Sequence, residues 1–374
     1  MKFVISSNVL SSRLALVGRV IVAKNNLPIL GSFMFEIQGT TLKVTASDNE
    51  TTLCTTMELA ECDADIRFVA NAKTVQDAIR EIPEQPLEFF VNESTLEVTV
   101  EYRNGNYNFM AQPADEYPTP SALPSDAARV SIAPEKLLDA VSRAIIATAD
   151  DALRPVMNGI FFDIHPTHTA VVASNGQKLA CTTFTEMPSS QEGSFILPKK
   201  PALMLKNILA KAEEDVIISF DGKNAEAHTG NFDMSCRLID GRYPNYESVI
   251  PRDNPNCATV NREALISALR RVLIFSSAIS SLVKFRVENS KITVSSQDTN
   301  YAMSAQESLL CEYSGNPLTI GFKGPFLIEL LNNLPGEDVM LKLGDMSRAG
   351  IMVPTEQPQG EEALMLLMPI MLNE

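Results

Sequence analysis

Three histidines, six cysteines and a few paired carboxylates are the side chains of this sequence that could do chemistry. His165 and His168 stand three apart in HPTH, a spacing at which two helical imidazoles can share a metal ion. Pro166 and the flanking strand pattern instead put them in a hairpin turn, facing solvent, and His228 stands alone. Asp150-Asp151 and the pair Asp63/Asp65 lie in loops. A two-metal nuclease or polymerase needs converging carboxylates. Spacing alone leaves that open, but the rest of the chain offers no matching acidic set. Cys54, Cys62, Cys181, Cys236, Cys257 and Cys311 contain no CxxC pair, so they form neither a disulfide framework nor a zinc ribbon. Scattered thiols of this kind are more often buried apolar groups than nucleophiles. There is no phosphate-cradling lysine loop, and Ser174-Asn175-Gly176-Gln177 reads as a turn between strands. Catalytic residues, a metal and a cofactor are therefore not expected.

The elements that would position these groups follow from the wider pattern. The 374 residues are 45% hydrophobic and 21% charged, as in folded proteins of two or three domains. No apolar run is long enough to span a membrane. The N-terminal stretch faintly resembles a secretory signal, but Arg13 and Arg19 interrupt it and no small-residue cleavage site follows. With the dispersed cysteines, this suggests a reducing cytoplasm. The net charge of −15 opposes wholesale binding to a polyanion, so any nucleic-acid contact needs a local concentration of cations.

Internal repetition is the strongest signal. Ile5-SSNVL, Ile132-APEKL and Val260-NREAL each run from an apolar strand residue through a polar stretch into an amphipathic helix, spaced by 127 and 128 residues. FMFEIQGTTLKVTASDNE from Phe33, IFFDIHPTHTAVVASNGQ from Ile160 and VKFRVENSKITVSSQDTN from Val283 follow in the same order. A third set runs into a second helix, with Val69 and Ile196 127 apart, and Ile196 and Ile320 124 apart. Tyr117-Pro118 and Tyr243-Pro244 recur 126 apart in Pro-, Ser- and Asn-rich connections. Three related domains are expected, at 1–125, 126–253 and 254–374. Each would read strand, helix, three strands, then the same again. The alternation of Leu42, Val44 and Ala46 with Lys43 and Thr45 calls for antiparallel sheet buried on one face by helices, an α+β architecture.

The six expected helices, 6–24, 72–82, 134–148, 199–211, 262–276 and 323–333, together carry +9, leaving −24 on the remainder. Solvated helix faces would explain this. So would a surface that gathers equivalent helices toward an anion, where cations without a base-reading helix suit sequence-independent phosphate contact. At the C-terminus, ALMLLMPIMLNE reads as a last core strand that Pro369 ends, leaving Ile370, Met371 and Leu372 near the surface as adaptable apolar binding groups.

Leu27-Pro28-Ile29-Leu30, Arg154-Pro155-Val156-Met157-Asn158-Gly159, Val172 to Leu179, Asp240 to Tyr246 and Met368-Pro369, with the three repeats, resemble the β subunits of bacterial DNA polymerase III, the sliding-clamp family. The resemblance covers the whole chain. It implies three clamp domains with antiparallel sheets outside and two helices each inside, closed into a ring around duplex DNA by a head-to-tail homodimer. The implied activity is processivity rather than catalysis, with the polymerase, clamp loader and repair proteins as partners and no membrane. Phosphate-facing residues would be Lys24, Lys73, Arg80, Lys199, Lys200, Arg13, Arg270 and Arg271. The dimer interface would join Tyr107 and Phe109 to Leu273 and Ile274. The family's peptide cleft maps onto Met157, Ser174, Gly176, Gln177, Lys178, Leu179, Pro244, Val249, Leu366, Met368, Pro369, Ile370, Met371 and Leu372. The chain departs from the family at Ser174 to Leu179, where Thr-Asp-Gly-His-Arg-Leu is usual. It also departs in Asn373-Glu374 beyond the usual end, and in acidic Asp150-Asp151. A metal-dependent nucleic-acid enzyme and a protein-only scaffold are the alternatives.

Overall fold

The computed structural model describes residues 1–23, 26–120, 122–186 and 192–372. Its helices are α1 (Ser7–Val17), α2 (Ala72–Arg80), α3 (Pro134–Ile145), α4 (Lys199–Leu209), α5 (Arg262–Leu273) and α6 (Gly324–Asn332). Each follows a strand, and side-chain caps start three of them. The Ser6 hydroxyl accepts from Val9 N at 3.5 Å, Asn71 Oδ1 from Thr74 N at 2.9 Å and Asn261 Oδ1 from Ala264 N at 3.0 Å. The first helix is shorter than the 6–24 expected. It tightens into a 3-10 turn at Gly18–Val20, and a β-branched run follows. The turn packs closely on α2: a Cβ at Gly18 would lie 2.8 Å from Gln76 Oε1 and displace that side chain.

The element order repeats three times as strand, helix, three strands, strand, helix, three strands, with one extra two-residue strand at Glu61–Cys62. The pairing repeats as well. In every repeat the strand before the first helix pairs with the strand after the second helix: Lys2–Ser6 with Pro86–Val91, Ala128–Ile132 with Val216–Phe220, Asn256–Asn261 with Asp338–Leu343. Core contacts follow the same period. Phe35 faces Phe68 with stacked rings 5.0 Å apart, and Phe162 faces Phe195 at 4.6 Å, each residue 127 beyond its counterpart.

All strand pairs are antiparallel, in sheets of five, eight, eight and four strands. The chain forms two compact units, one of Met1–Leu137 with Leu203–Leu238, the other of Leu138–Ala202 with Ile239–Glu374. In the first, an eight-stranded sheet is joined by pairing of Phe232–Arg237 with Thr51–Glu58. In the second, Glu361–Leu367 pairs with Lys178–Phe184. In both joins the last strand of one repeat meets the fourth strand of the repeat before it. Hydrogen bonding of whole strands and burial of their alternate side chains hold each join. Two strands of the same kinds are sheet edges: Gly105–Met110, last of the first repeat, and Met303–Leu310 in the third.

Candidate functional site

In the second unit, one face of the eight-stranded sheet carries Phe161, Ala170, Val172, Leu179, Cys181, Leu364 and Leu366, with Tyr246 packed on it. Leu179 and Leu366 are direct cross-strand partners. A cavity of about 140 Å³ opens here. Met157, Ser174, Gly176, Gln177, Lys178, Leu179, Pro244, Val249, Leu366 and Met368 line it, and so do Tyr243, Asn245 and Tyr246.

Hydrogen bonds hold the rim. Asn175 Oδ1 accepts from Gln177 N at 2.9 Å and Lys178 N at 3.0 Å, and Ser174 Oγ accepts from Gly176 N at 3.1 Å. Gly176 has φ +86°, and a Cβ would lie 2.9 Å from Arg154 Nη1, so the turn calls for glycine. Gln177 O accepts from Met368 N at 2.8 Å, tying this rim to the C-terminal segment. Lys178 is buried. Its ammonium pairs with Glu329 and sits 4.6 Å from the Phe326 ring centre, so it faces α6. What remains is an apolar hollow with backbone and amide groups at its edge, suited to one or two apolar side chains of a peptide.

Pro369, Ile370, Met371 and Leu372 do not line this cavity. Ile370 N donates to Gly321 O at 2.8 Å, and Leu372 lies over the same glycine, so the segment past Pro369 fastens to the strand Leu318–Lys323 while Met371 stays exposed. Tyr243 and Tyr246, which flank the expected cleft residue Pro244 within the Asp240–Tyr246 motif, line the cavity without being among the expected site residues. Their signal is the aromatic pair itself, whose rings are buried here at 6% and 9% exposure. Phe161 stacks on Tyr243 at 4.7 Å, and burial pushes the Tyr243 hydroxyl up to about 12. Burial, then the neighbouring Asp163 charge, raises the Tyr246 hydroxyl too. Cys181 behind them is pushed up to about 11 by burial and is no nucleophile at neutral pH.

The candidate phosphate contacts divide by environment. Lys24 lies outside the described residues, as do Asn373 and Glu374. Arg13 is half-buried, 4.6 Å from the Phe232 ring centre, and burial lowers its pKa. Lys73 and Arg80 are exposed on α2, Arg80 held by Asp77 at 3.2 Å and Glu81 at 3.3 Å. Lys199 and Lys200 are half-exposed at the start of α4. Arg270 is exposed, while both nitrogens of the Arg271 fork meet Glu307 carboxylate oxygens at 2.7 Å, so that charge is already answered within the protein.

Tyr107 and Phe109 lie on the edge strand Gly105–Met110 and line a cavity of about 280 Å³ with Val75, Ala78 and Ile79 of α2. Leu273 ends α5 half-buried, and Ile274 after it is 72% exposed. His165 and His168 sit in the expected turn but are half-buried rather than open to solvent. Their rings stack against each other at 4.7 Å, and His165 lies against Asp163 and Glu192. Asp151 is occupied by Arg154 Nε at 2.9 Å and by Leu153 N. Among the described residues, no three His, Cys, Asp or Glu are grouped to hold a metal ion, and no helix is long and apolar enough to cross a membrane.

Residues 1–121, 131–245 and 247–370 match, respectively, the N-terminal, central and C-terminal domain models of the DNA polymerase III beta subunit. The beta sliding clamp of Pseudomonas aeruginosa is 26% identical over the full length of both chains, and that of Haemophilus influenzae is 26% identical over 98% of this chain and 99% of its own. A crystal structure of the P. aeruginosa sliding clamp bound to griselimycin superposes with a TM-score of 0.93 at 25% identity, covering 100% of both chains. The chain belongs to the DNA polymerase III beta-subunit family, sliding clamps of DNA replication that act as processivity factors and not as catalysts.

Proposed function

We propose that two copies of this chain close head to tail into a ring around duplex DNA, in the cytoplasm, and that the cavity beside Leu179 and Leu366 receives apolar peptide segments of the polymerase, clamp loader and other replication partners. The reading divides the chain at 1–125, 126–253 and 254–374. The observation that carries it is the pair of edge strands. Inside the chain, the last strand of one repeat twice pairs with the fourth strand of the repeat before it. Gly105–Met110 and Met303–Leu310 are the remaining members of that scheme, and a second copy supplies each with its partner. A contact that joins different surfaces and closes after two copies gives a ring. The cavity lined by Tyr107 and Phe109 then receives the partner's Leu273 and Ile274.

Lys73, Lys199, Lys200 and Arg270 supply phosphate contacts, joined by Arg13, which is half-buried, and by Arg80 and Arg271, whose charges carboxylates of the chain already meet. Confinement by the ring makes a tight grip unnecessary, and contact without base reading permits sliding.

The test is retention on DNA. Protein loaded on a closed circle should stay bound through a salt wash and leave when the circle is cut. Equal retention on circular and linear DNA would overturn the ring. For the cavity, griselimycin serves as the probe: it should bind this chain, and Met368→Ala should weaken binding about tenfold, a typical loss for an anchoring contact. Unchanged affinity would remove Met368 from the site.

A further inference from the structure

The HPTH turn takes no part in the function above, yet its contacts lead into the cavity wall. Phe161 and Asp163 are two apart on the strand Gly159–Ile164 and share a sheet face. Phe161 meets the Tyr246 ring edge-on at 6.1 Å, and Asp163 Oδ2 accepts from the Tyr246 hydroxyl at 3.0 Å. The other oxygen, Asp163 Oδ1, lies 3.1 Å from His165 Nε2. His165 Nδ1 is 3.5 Å from Glu192 Oε1, and its ring stacks on His168, whose Nδ1 is 3.1 Å from Thr167 Oγ1. A continuous polar line therefore runs from Glu192 through His165 and Asp163 to Tyr246, a residue 9% exposed that lines the cavity.

The surroundings leave this line largely to itself. The two strands paired with Gly159–Ile164, Thr169–Ser174 and Gly193–Pro198, carry no ionisable side chain. The next strand brings Lys178, turned to Glu329, and the protonated thiol of Cys181. Glu361–Leu367 brings Glu361, paired with Arg143, and Glu362, which with Glu247 acts on this neighbourhood only through its charge.

We infer that Asp163 is a positioning residue for the peptide cavity, holding Tyr246 as its wall, and that His165 sets how firmly Asp163 is held, so that peptide binding tightens when His165 is protonated. This rests on the peptide-cavity reading above. An imidazole changes charge between about pH 5 and 8. A neutral imidazole already donates to an ionised acceptor, and protonation adds the attraction of opposite charges across the 3.1 Å contact with Asp163. Protonated His165 fixes Asp163, which fixes the Tyr246 hydroxyl and leaves less ordering for the ligand to impose. By reciprocity, a bound ligand favours the protonated imidazole.

Griselimycin affinity, measured by calorimetry on the full chain at pH 6 and pH 8, tests this. The wild-type protein should bind about fivefold more tightly at pH 6, the low end for coupled sites. His165→Gln, which keeps a neutral donor, should lose that pH dependence. Tyr246→Phe should bind more weakly than wild type with an equally flat profile, and Asp163→Asn should match it. Should Asp163→Asn fail to fold, the turn variant His165→Gln and Tyr246→Phe carry the test. Any pH effect that belongs to griselimycin itself persists in every variant and is subtracted. If all proteins share the wild-type profile, the positioning role is overturned while the cavity reading stands. If wild type binds griselimycin at neither pH, the cavity reading fails and this inference with it.

Discussion

Arg143 and Glu361 form an ion pair almost wholly removed from solvent, with Nη1 and Oε1 3.1 Å apart and side chains 5% and 4% exposed. Arg143 lies on α3 in the middle repeat. Glu361 begins the strand that carries Leu366 to the cavity. Asp139 Oδ2 meets Arg143 Nη2 at 3.3 Å, while Glu361 Oε2 has no partner among the described residues.

A buried charge stripped of its partner costs more than the pair contributes. Arg143→Ala should therefore destabilise the second unit by about 3–5 kcal/mol. The double change Arg143→Met with Glu361→Leu should cost much less, because no charge is left buried. Denaturant titration of both variants decides this. A single variant no less stable than the double would show that the pair is not desolvated as described.

The edge strands make a prediction of register. Within the hairpins Ser47 faces Thr52, Ser174 faces Leu179 and Ser296 faces Ala305, which makes Thr52, Leu179 and Ala305 equivalent. Thr52 pairs with Ser235, and Asn108 stands 127 before Ser235. In the ring, Asn108 should then lie opposite Ala305 of the second copy, with Tyr107 opposite Gln306. Asn108→Cys with Ala305→Cys, in a Cys257→Ser background, should form a disulfide between copies under mild oxidation. Ile274→Asp should convert a species of twice 40.9 kDa into one of 40.9 kDa. A dimer mass unaltered by that charge would exclude Ile274 from the interface.

Alkaline pH should unfold the protein from within. Burial holds Cys54 and Cys181 up at about 11 and Cys236 at about 12, against an ordinary 9.0, and Tyr117 and Tyr243 at about 12, against 10.0. The folded state keeps protons that the unfolded chain releases. The associated stability is thus complete below about pH 9 and is lost as pH climbs toward 12, at no more than about 1.4 kcal/mol per group per pH unit. Denaturation midpoints should stay flat from pH 7 to 8.5 and fall beyond 9. With a thiol reagent at pH 8, exposed Cys257 should react first and Cys181 only on unfolding. Equal rates for Cys181 in native and unfolded protein would contradict its burial.

The repeat pattern was legible because it rests on local rules written three times. Alternating strands, a capping residue and an amphipathic helix recur at a spacing near 127, and Phe35/Phe68 and Phe162/Phe195 occupy the same places. Ten of the fourteen cleft residues implied by the family resemblance surround one cavity, although its walls come from segments as far apart as Met157 and Met368. Contacts far apart in sequence were not legible from the residues alone. The Glu307 that occupies Arg271 is 36 residues away, Gly321 takes the chain end from the cavity, and Asp163 reaches Tyr246 across 83 residues. The end of α1 was misjudged because apolar residues continue past Gly18 without a helical backbone.

Leu179 and Leu366 meet across the seam between two repeats. The hollow belongs to neither repeat alone, since one supplies its floor from Lys178–Phe184 and the next from Glu361–Leu367. A nascent chain lacking its final strand has no such handle to offer, and a damaged chain whose seam parts surrenders it. On the proposed function, a peptide docking here would find its hollow only in chains whose final strand has paired with Lys178–Phe184.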